Sequence, residues 1–304
     1  MSFHPRRWKA IRNSWVDFIP LIDPPGSRPK VTLSDFLEET EILAGVSRSL
    51  GKVTTVSVPR AEVPEIVFRE ATYWMHKALY VLGSSESHIN MGMPTWSLPA
   101  AYQSAFFSAR AIMGFLGVGM AEFHQASAAV DLCRNMRDLR PQRLVEIGAF
   151  SEEVPFHTLG VLFDHRQIWL LFQRVLRVTS CDIWPSGWAN YLSLLDVGEI
   201  TRQRHGLHYQ VGYWVTDDLH QFIHPEDFPD VLPTGTGRDL FDNTRRNFSF
   251  ILASIINGLA IRLFEDLGQV TTRLSDERTV VYNGFSIERH PLFADQLKDY
   301  AIPR

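Results

Sequence analysis

A mainly α-helical fold with little β structure is predicted by three observations. Apolar residues recur at intervals of three and four along several long segments, most clearly in "FSFILASIINGLAIRLFEDLG" at 248–268. Residues suited to opening a helix, Ser34, Pro64, Ser97 with Pro99, and Ser186, stand ahead of such segments. β-Branched runs are short, "KVTTVSVP" at 52–59 being one candidate strand closed by Pro59.

In chain order, residues 1–60 read as an N-terminal extension. It holds the irregular "IPLIDPPGSRP", one helix from a Ser34 cap to near Gly45, and the 52–59 strand. "PEIVFREATYWMHKALYVL" (64–82) is a helix with Pro64 in its first turn, and "GSSESHINMGMPT" (83–95) a polar loop. "WSLPAAYQSAFFSARAIMGFLGVG" (96–119) is a second long helix. Its Ala101, Ala105, Ser108 and Ala109 let a neighbouring backbone approach closely, so it should be the central packing helix.

"EFHQASAAVDLCRNMRDL" (122–139) extends the helical pattern, and "RLVEIGAF" (143–150) has strand character. Residues 154–178 repeat apolar positions at three and four, and 186–215 starts from a Ser186 cap. The 237–268 segment is the strongest helix, ending near Gly268, and Asn283-Gly284 marks a small hairpin in "TVVYNGFSIERH". No internal repeat, heptad array or low-complexity linker divides the helical body. The expected division is an extension over 1–60, a helical core over 61–215, and a C-terminal helical extension over 216–304 packed on the core.

Composition narrows the functional classes. With 304 residues, 45% hydrophobic and 21% charged, the chain can build a substantial core and lacks the profile of a disordered protein. A net charge of −4 gives no long-range attraction for polyanions, so any nucleic-acid contact rests on a local patch. Cys133 and Cys181 form neither a disulfide framework nor a cysteine zinc site, which fits a reducing cytoplasmic setting. The N-terminus does not read as a secretory signal, and "AIMGFLGVGMA" (111–121) falls short of the ~20 residues that span a bilayer. A soluble protein is expected.

The densest chemistry lies in "TRQRHGLHYQ" (201–210). Metal-free RNA cleavage needs a base for the ribose 2′-hydroxyl proton, an acid for the departing 5′-oxygen, and a cation for charge growing on phosphate. His205 or His208 with Arg202 or Arg204 supplies these parts. Successive helical residues rotate by ~100°, which sets Arg202 roughly 120° from His208, whereas Arg204 and His208, at i and i+4, share a face. Gly206 offers a place for a local irregularity. A solvated helix face, paired with acids such as Glu199, Asp217 and Asp218, is the plain alternative.

Arg202, five intervening residues and His208 resemble the arginine, four-to-six residues, histidine pattern of the HEPN superfamily of helical proteins, many of them ribonucleases of toxin and defence systems. The segment "AAYQSAFFSARAIMGFLG" (100–117) is similar to that superfamily's aromatic-and-alanine helix, which packs beside the motif helix. The resemblance implies a HEPN-like helical bundle over 61–215, a metal-independent endoribonuclease with no cofactor, RNA as substrate, a homodimer, and restraint by a regulatory or antitoxin protein. It makes His208 the acid/base and Arg202 the phosphate-stabilising cation, with Arg204 and His205 supporting or substituting. The alternative is a non-catalytic interaction or RNA-binding module on the same scaffold.

A third reading is a metal-dependent hydrolase centred on His220 and His224, one helical turn apart, with Asp218, Glu226 or Asp227 as oxygen ligands. The HExxH context is absent and Pro225 follows at once, so a helix end in an acidic loop is favoured over a metal site. "PTGTGRD" (233–239) lacks the lysine and hydroxyl residue of a phosphate loop and reads as a turn. His157 and His165 read as core or surface histidines, and Trp169, Trp184, Trp188 and Trp214 as core fillers more than base-stacking platforms. Arg134, Arg137, Arg140 and Arg143 read as a solvated face rather than an RNA path.

Overall fold

A computed structural model describes residues 6–18, 32–39, 53–57, 62–91, 93–122, 127–133, 150, 153–159, 163–184, 188–209 and 248–270. Among them the helices are α1 (Trp8–Phe18), α2 (Leu33–Glu39), α3 (Glu62–Asn90), α4 (Pro94–Phe115), α5 (His165–Val178), α6 (Trp188–Leu194), α7 (Val197–Tyr209) and α8 (Phe248–Val270). The strands are β1 (Arg6–Arg7), β2 (Val53–Ser57), β3 (Val118–Glu122), β4 (Ser127–Asp131), β5 (Glu153–Leu159) and β6 (Thr179–Ser180). The fold is mainly α, with one four-stranded antiparallel sheet in the order β2-β5-β4-β3 and a two-stranded parallel pair, β1-β6.

α4 is the hub of the helical body. It packs along α3 on one side and α8 on another, and also meets α5, α7 and β3. Its small residues make this possible: Ala101, Ala105, Ala109, Ser104 and Ser108 are fully buried. At Gly114 a Cβ would lie 2.6 Å from the Ala71 Cβ, so α3 and α4 touch where neither can carry bulk. α4 ends at Phe115, and two residues on comes Gly117, whose φ of 81° is costly for any residue with a side chain. From there the chain turns directly into β3.

α1 is fixed to the same core. Trp15 donates its indole N–H to the Phe115 carbonyl at 2.7 Å, satisfying an orphan acceptor at the end of α4. Trp8 donates to Asp266 on α8 at 2.7 Å, and Arg12 pairs with the same carboxylate at 3.1 Å. α8 supplies a wall of buried Ile251, Ile255, Ile256, Leu259 and Leu263. Each such side chain contributes about 1.5–3 kcal/mol by leaving water. Phe248–Gly268 is long and apolar enough to cross a bilayer, a run longer than the 111–121 segment singled out from the sequence, but it is mostly buried inside the protein as a core helix.

Several local expectations are corrected. The 83–95 segment is not a loop, since α3 runs on to Asn90 and α4 starts at Pro94. Two of its serines bond within the helices: Ser85 donates to the Ser97 carbonyl at 2.7 Å, Ser97 returns a bond to the Ser85 carbonyl at 2.9 Å, and Ser87 bonds back to Gly83. The 122–139 segment does not extend a helix in its described part, because 118–122 and 127–131 form the β3–β4 hairpin. Pairing wins over the helix preference of alanine here, and β4 is buried along Ser127–Val130, so it lacks the alternation that marks a half-exposed strand.

The 154–178 segment divides in the same way. Residues 153–159 form β5, a central strand between β2 and β4, and the helix begins only at His165, where the Asp164 carboxylate caps the Gln167 N–H at 2.7 Å. Thr32, not Ser34, caps α2: its hydroxyl accepts the Asp35 N–H at 3.1 Å while Asp35 accepts the Thr32 N–H at 2.8 Å. The Ser34 hydroxyl instead accepts the Glu122 N–H. The helix over 186–215 is two helices, α6 and α7, and α8 passes Gly268 to end at Val270. The 52–59 strand is found as β2. Of 143–150 only Phe150 is described, bridging Cys133, and the Asn283-Gly284 hairpin lies outside the described residues.

Candidate functional site

α7 carries the arginine-histidine stretch, and its register is set at its start. The Asp196 carboxylate accepts the Gly198 N–H at 2.7 Å and the Glu199 N–H at 3.2 Å, a cap that fixes which face turns inward. Val197, Ile200, Gln203 and Gly206 form the buried stripe. The helix runs without a break through Gly206 to Tyr209, so the two arginines keep ordinary helical directions.

Those directions separate them. Arg202 faces solvent, its side chain 70% exposed, and pairs with Glu199 one turn earlier. His205 is exposed beside Tyr209, ring centres 5.3 Å apart. Arg204 and His208 are half-buried and one turn apart on the inward side. Each has a buried nitrogen with no hydrogen-bond partner, Nε of Arg204 and Nε2 of His208. An orphaned buried donor or acceptor costs about 1–3 kcal/mol, so these two atoms are an energetic liability that a bound polar group would relieve.

Two further helices complete the site. His165, the first residue of α5, is half-exposed and senses the charges of both Arg204 and His208. Its Nδ1 lies 3.2 Å from the Tyr102 hydroxyl of α4, which in turn accepts the Trp169 indole N–H at 3.0 Å. Phe106 stacks on the His165 ring at 4.1 Å. The site is thus built from three helical pairs spaced by four residues: Tyr102 with Phe106 on α4, His165 with Trp169 on α5, and Arg204 with His208 on α7.

Burial first, and then the neighbouring positive charge of Arg204, holds both imidazoles in the neutral form: His165 is pushed down to about 4, and His208 is also lowered. Burial pushes the Tyr102 phenol up to about 12, against the Trp169 N–H and Arg204, so it stays protonated. A neutral imidazole accepts a proton without first losing one to water, and the imidazolium so formed can return it, while a guanidinium holds a phosphate oxygen. The positive charge of Arg204 opposes protonation of both histidines. A phosphate beside Arg204 would raise the proton affinity of each.

Tyr102 was not singled out from the sequence, and His165 was read there only as a core or surface histidine. Their only local signature is the i,i+4 spacing of His165 with Trp169, which is equally the signature of a core-facing helix stripe. Trp169, Trp184 and Trp188 are buried, as core fillers are. His157 lies in β5, and His220, His224, Asp218, Glu226, Asp227, Trp214, Arg134, Arg137, Arg140, Arg143 and 233–239 lie outside the described residues. Among the described residues no group of three or more His, Cys, Asp and Glu side chains could hold a metal ion. No family model, no curated protein and no solved structure matches the chain.

Proposed function

We propose that the chain is a metal-independent endoribonuclease, in the manner of the helical toxin and defence ribonucleases that its arginine-histidine stretch resembles. The observation that carries this reading is the pairing of Arg204 and His208 on one inward face, each with a buried nitrogen left without a partner. Neutral His208 takes the proton of a ribose 2′-hydroxyl as that oxygen bonds to phosphorus. The bond from phosphorus to the 5′-oxygen breaks, and the resulting imidazolium returns a proton to that oxygen. The products are a 2′,3′-cyclic phosphate and a 5′-hydroxyl. Arg204, in place of the solvent-facing Arg202, balances the charge that grows on the phosphate. Self-association and restraint by a regulatory protein belong to the same proposal.

The test is cleavage of a mixed-sequence RNA with EDTA present. The wild type should cleave and His208→Ala should be slower by about 10²–10⁴-fold, the range for loss of a proton-transfer group. Equal rates would remove His208 from the chemistry. RNA binding without cleavage by the wild type would favour a non-catalytic module.

A further inference from the structure

The ribonuclease reading uses Arg204 and His208 and leaves His165 unexplained, although His165 lies close enough to feel the charge of both. Its environment is unusual for a histidine. The groups that bear on its charge are Arg204 and His208 from α7, Arg110 from α4 and Asp164 at its own helix start, so three positive or protonatable groups oppose one carboxylate. Its ring is held from two sides, by the Phe106 stack and by Tyr102.

The hydrogen-bond accounting settles which nitrogen carries the proton. Trp169 can only donate, so one lone pair of the Tyr102 oxygen is occupied by its indole N–H. The Tyr102 hydroxyl proton then needs an acceptor in a buried place, and His165 Nδ1 at 3.2 Å is the partner it has. A donor left unmatched there would cost about 1–3 kcal/mol. Nδ1 of His165 is therefore an acceptor, and its proton sits on Nε2.

We propose that His165 is a neutral hydrogen-bond donor of this same site, its proton kept on Nε2 by the Trp169–Tyr102 relay, and that it binds a phosphate oxygen beside Arg204 and His208. The inference rests on the ribonuclease reading for its substrate but not for its tautomer. A neutral imidazole gives up its last proton only at very high pH, so His165 donates a hydrogen bond and transfers no proton. It supplies to the non-bridging oxygen what an amide donor supplies in an oxyanion hole. Tyr102 is a positioning residue: it touches His165, not the phosphate.

The experiment is ¹⁵N NMR of histidine-labelled full-length protein, with His165→Gln to identify the signal, followed by addition of inorganic phosphate. At pH 7 the His165 signals should be those of the Nε2–H form. Tyr102→Phe should move them toward a mixture of the two forms, and phosphate should shift them in the wild type but not in Arg204→Ala. An Nδ1–H form, or a His165 signal that phosphate leaves unmoved, would overturn the proposal. RNA cleavage gives a second readout. His165→Gln keeps a neutral donor near the Nε2 position and should lose clearly less activity than His165→Ala, which should lose about a hundredfold, with both limbs of the pH–rate profile unmoved in the Gln variant. A Gln variant as slow as the Ala variant, or one that loses a limb, would show that His165 transfers a proton and that the assignment is wrong. If the wild type cleaves no RNA, the ribonuclease reading falls, and the tautomer and phosphate shifts alone decide this one.

Discussion

α4 presents two polar clusters whose hydrogen-bond accounts differ. Toward α8, Asn257 donates to Ser104 at 2.8 Å and to the Ala253 carbonyl at 2.8 Å, and accepts from Ser108 at 2.7 Å, all four residues being fully buried. Every polar atom of that network named here has a partner, so it has nothing left to offer a ligand. Toward α5 and α7, Tyr102 leads to His165, Arg204 and His208, where two buried nitrogens have no partner and two imidazoles are held neutral. A closed network fixes one packing, whereas an open one at a meeting of helices stores binding capacity.

The sharpest way to break this comparison is to truncate one member of each cluster. His208→Ala should cost about 10²–10⁴-fold in EDTA-resistant RNA cleavage and leave urea stability close to wild type or raise it, because it removes an orphaned atom. Asn257→Ala should do the reverse. It takes the acceptor from the Ser108 hydroxyl and a donor from Ser104, whose own proton still goes to the Ala78 carbonyl, and it opens a small cavity, for a loss of about 2–4 kcal/mol by urea denaturation with the rate per folded molecule unchanged. If Asn257→Ala instead left stability intact, the closed network would not be structural.

Gly114 sharpens the packing side of the contrast. In an open helix Gly→Ala gains about 1 kcal/mol, but here the added carbon would stand 2.6 Å from the Ala71 Cβ. Backbone or side chain must shift, so Gly114→Ala should lose about 1–3 kcal/mol, read from the same denaturation curves. A gain would mean that α3 and α4 are not held at close contact.

A smaller effect distinguishes the open cluster by pH. Because the folded protein binds the His165 proton less tightly than the unfolded chain, the unfolded state takes up more protons between about pH 6.5 and about 4. The stability contribution is complete above that window and is lost as pH falls through it. His208 adds in the same direction. His165→Gln should flatten the slope of urea stability against pH across this window, and an unchanged slope would remove His165 from the half-buried, positively flanked environment described above.

Legibility in the sequence followed the range of the forces involved. α3, α4 and α8 were readable because their apolar periodicity and small residues are local facts, and Ala101, Ala105 and Ala109 do line the hub. The β3–β4 hairpin was not, because Ser127–Val130 owe their strand to partners on both sides and carry alanines that favour helix in isolation. At the site, the helical arithmetic that joins Arg204 with His208 was available from α7 alone. His165 was not, since Tyr102 lies 63 positions away and the contact exists only once three helices pack. The family spacing pointed to Arg202, which the uninterrupted α7 turns outward to Glu199.

The central claim is therefore tested most directly by comparing Arg202→Ala with Arg204→Ala in EDTA-resistant RNA cleavage. The exposed Arg202–Glu199 pair is worth at most about 1 kcal/mol to stability, so both variants should fold. The account predicts that Arg204→Ala loses about 10²–10³-fold while Arg202→Ala stays within about threefold of wild type. Loss of activity in Arg202→Ala with Arg204→Ala unaffected would contradict it.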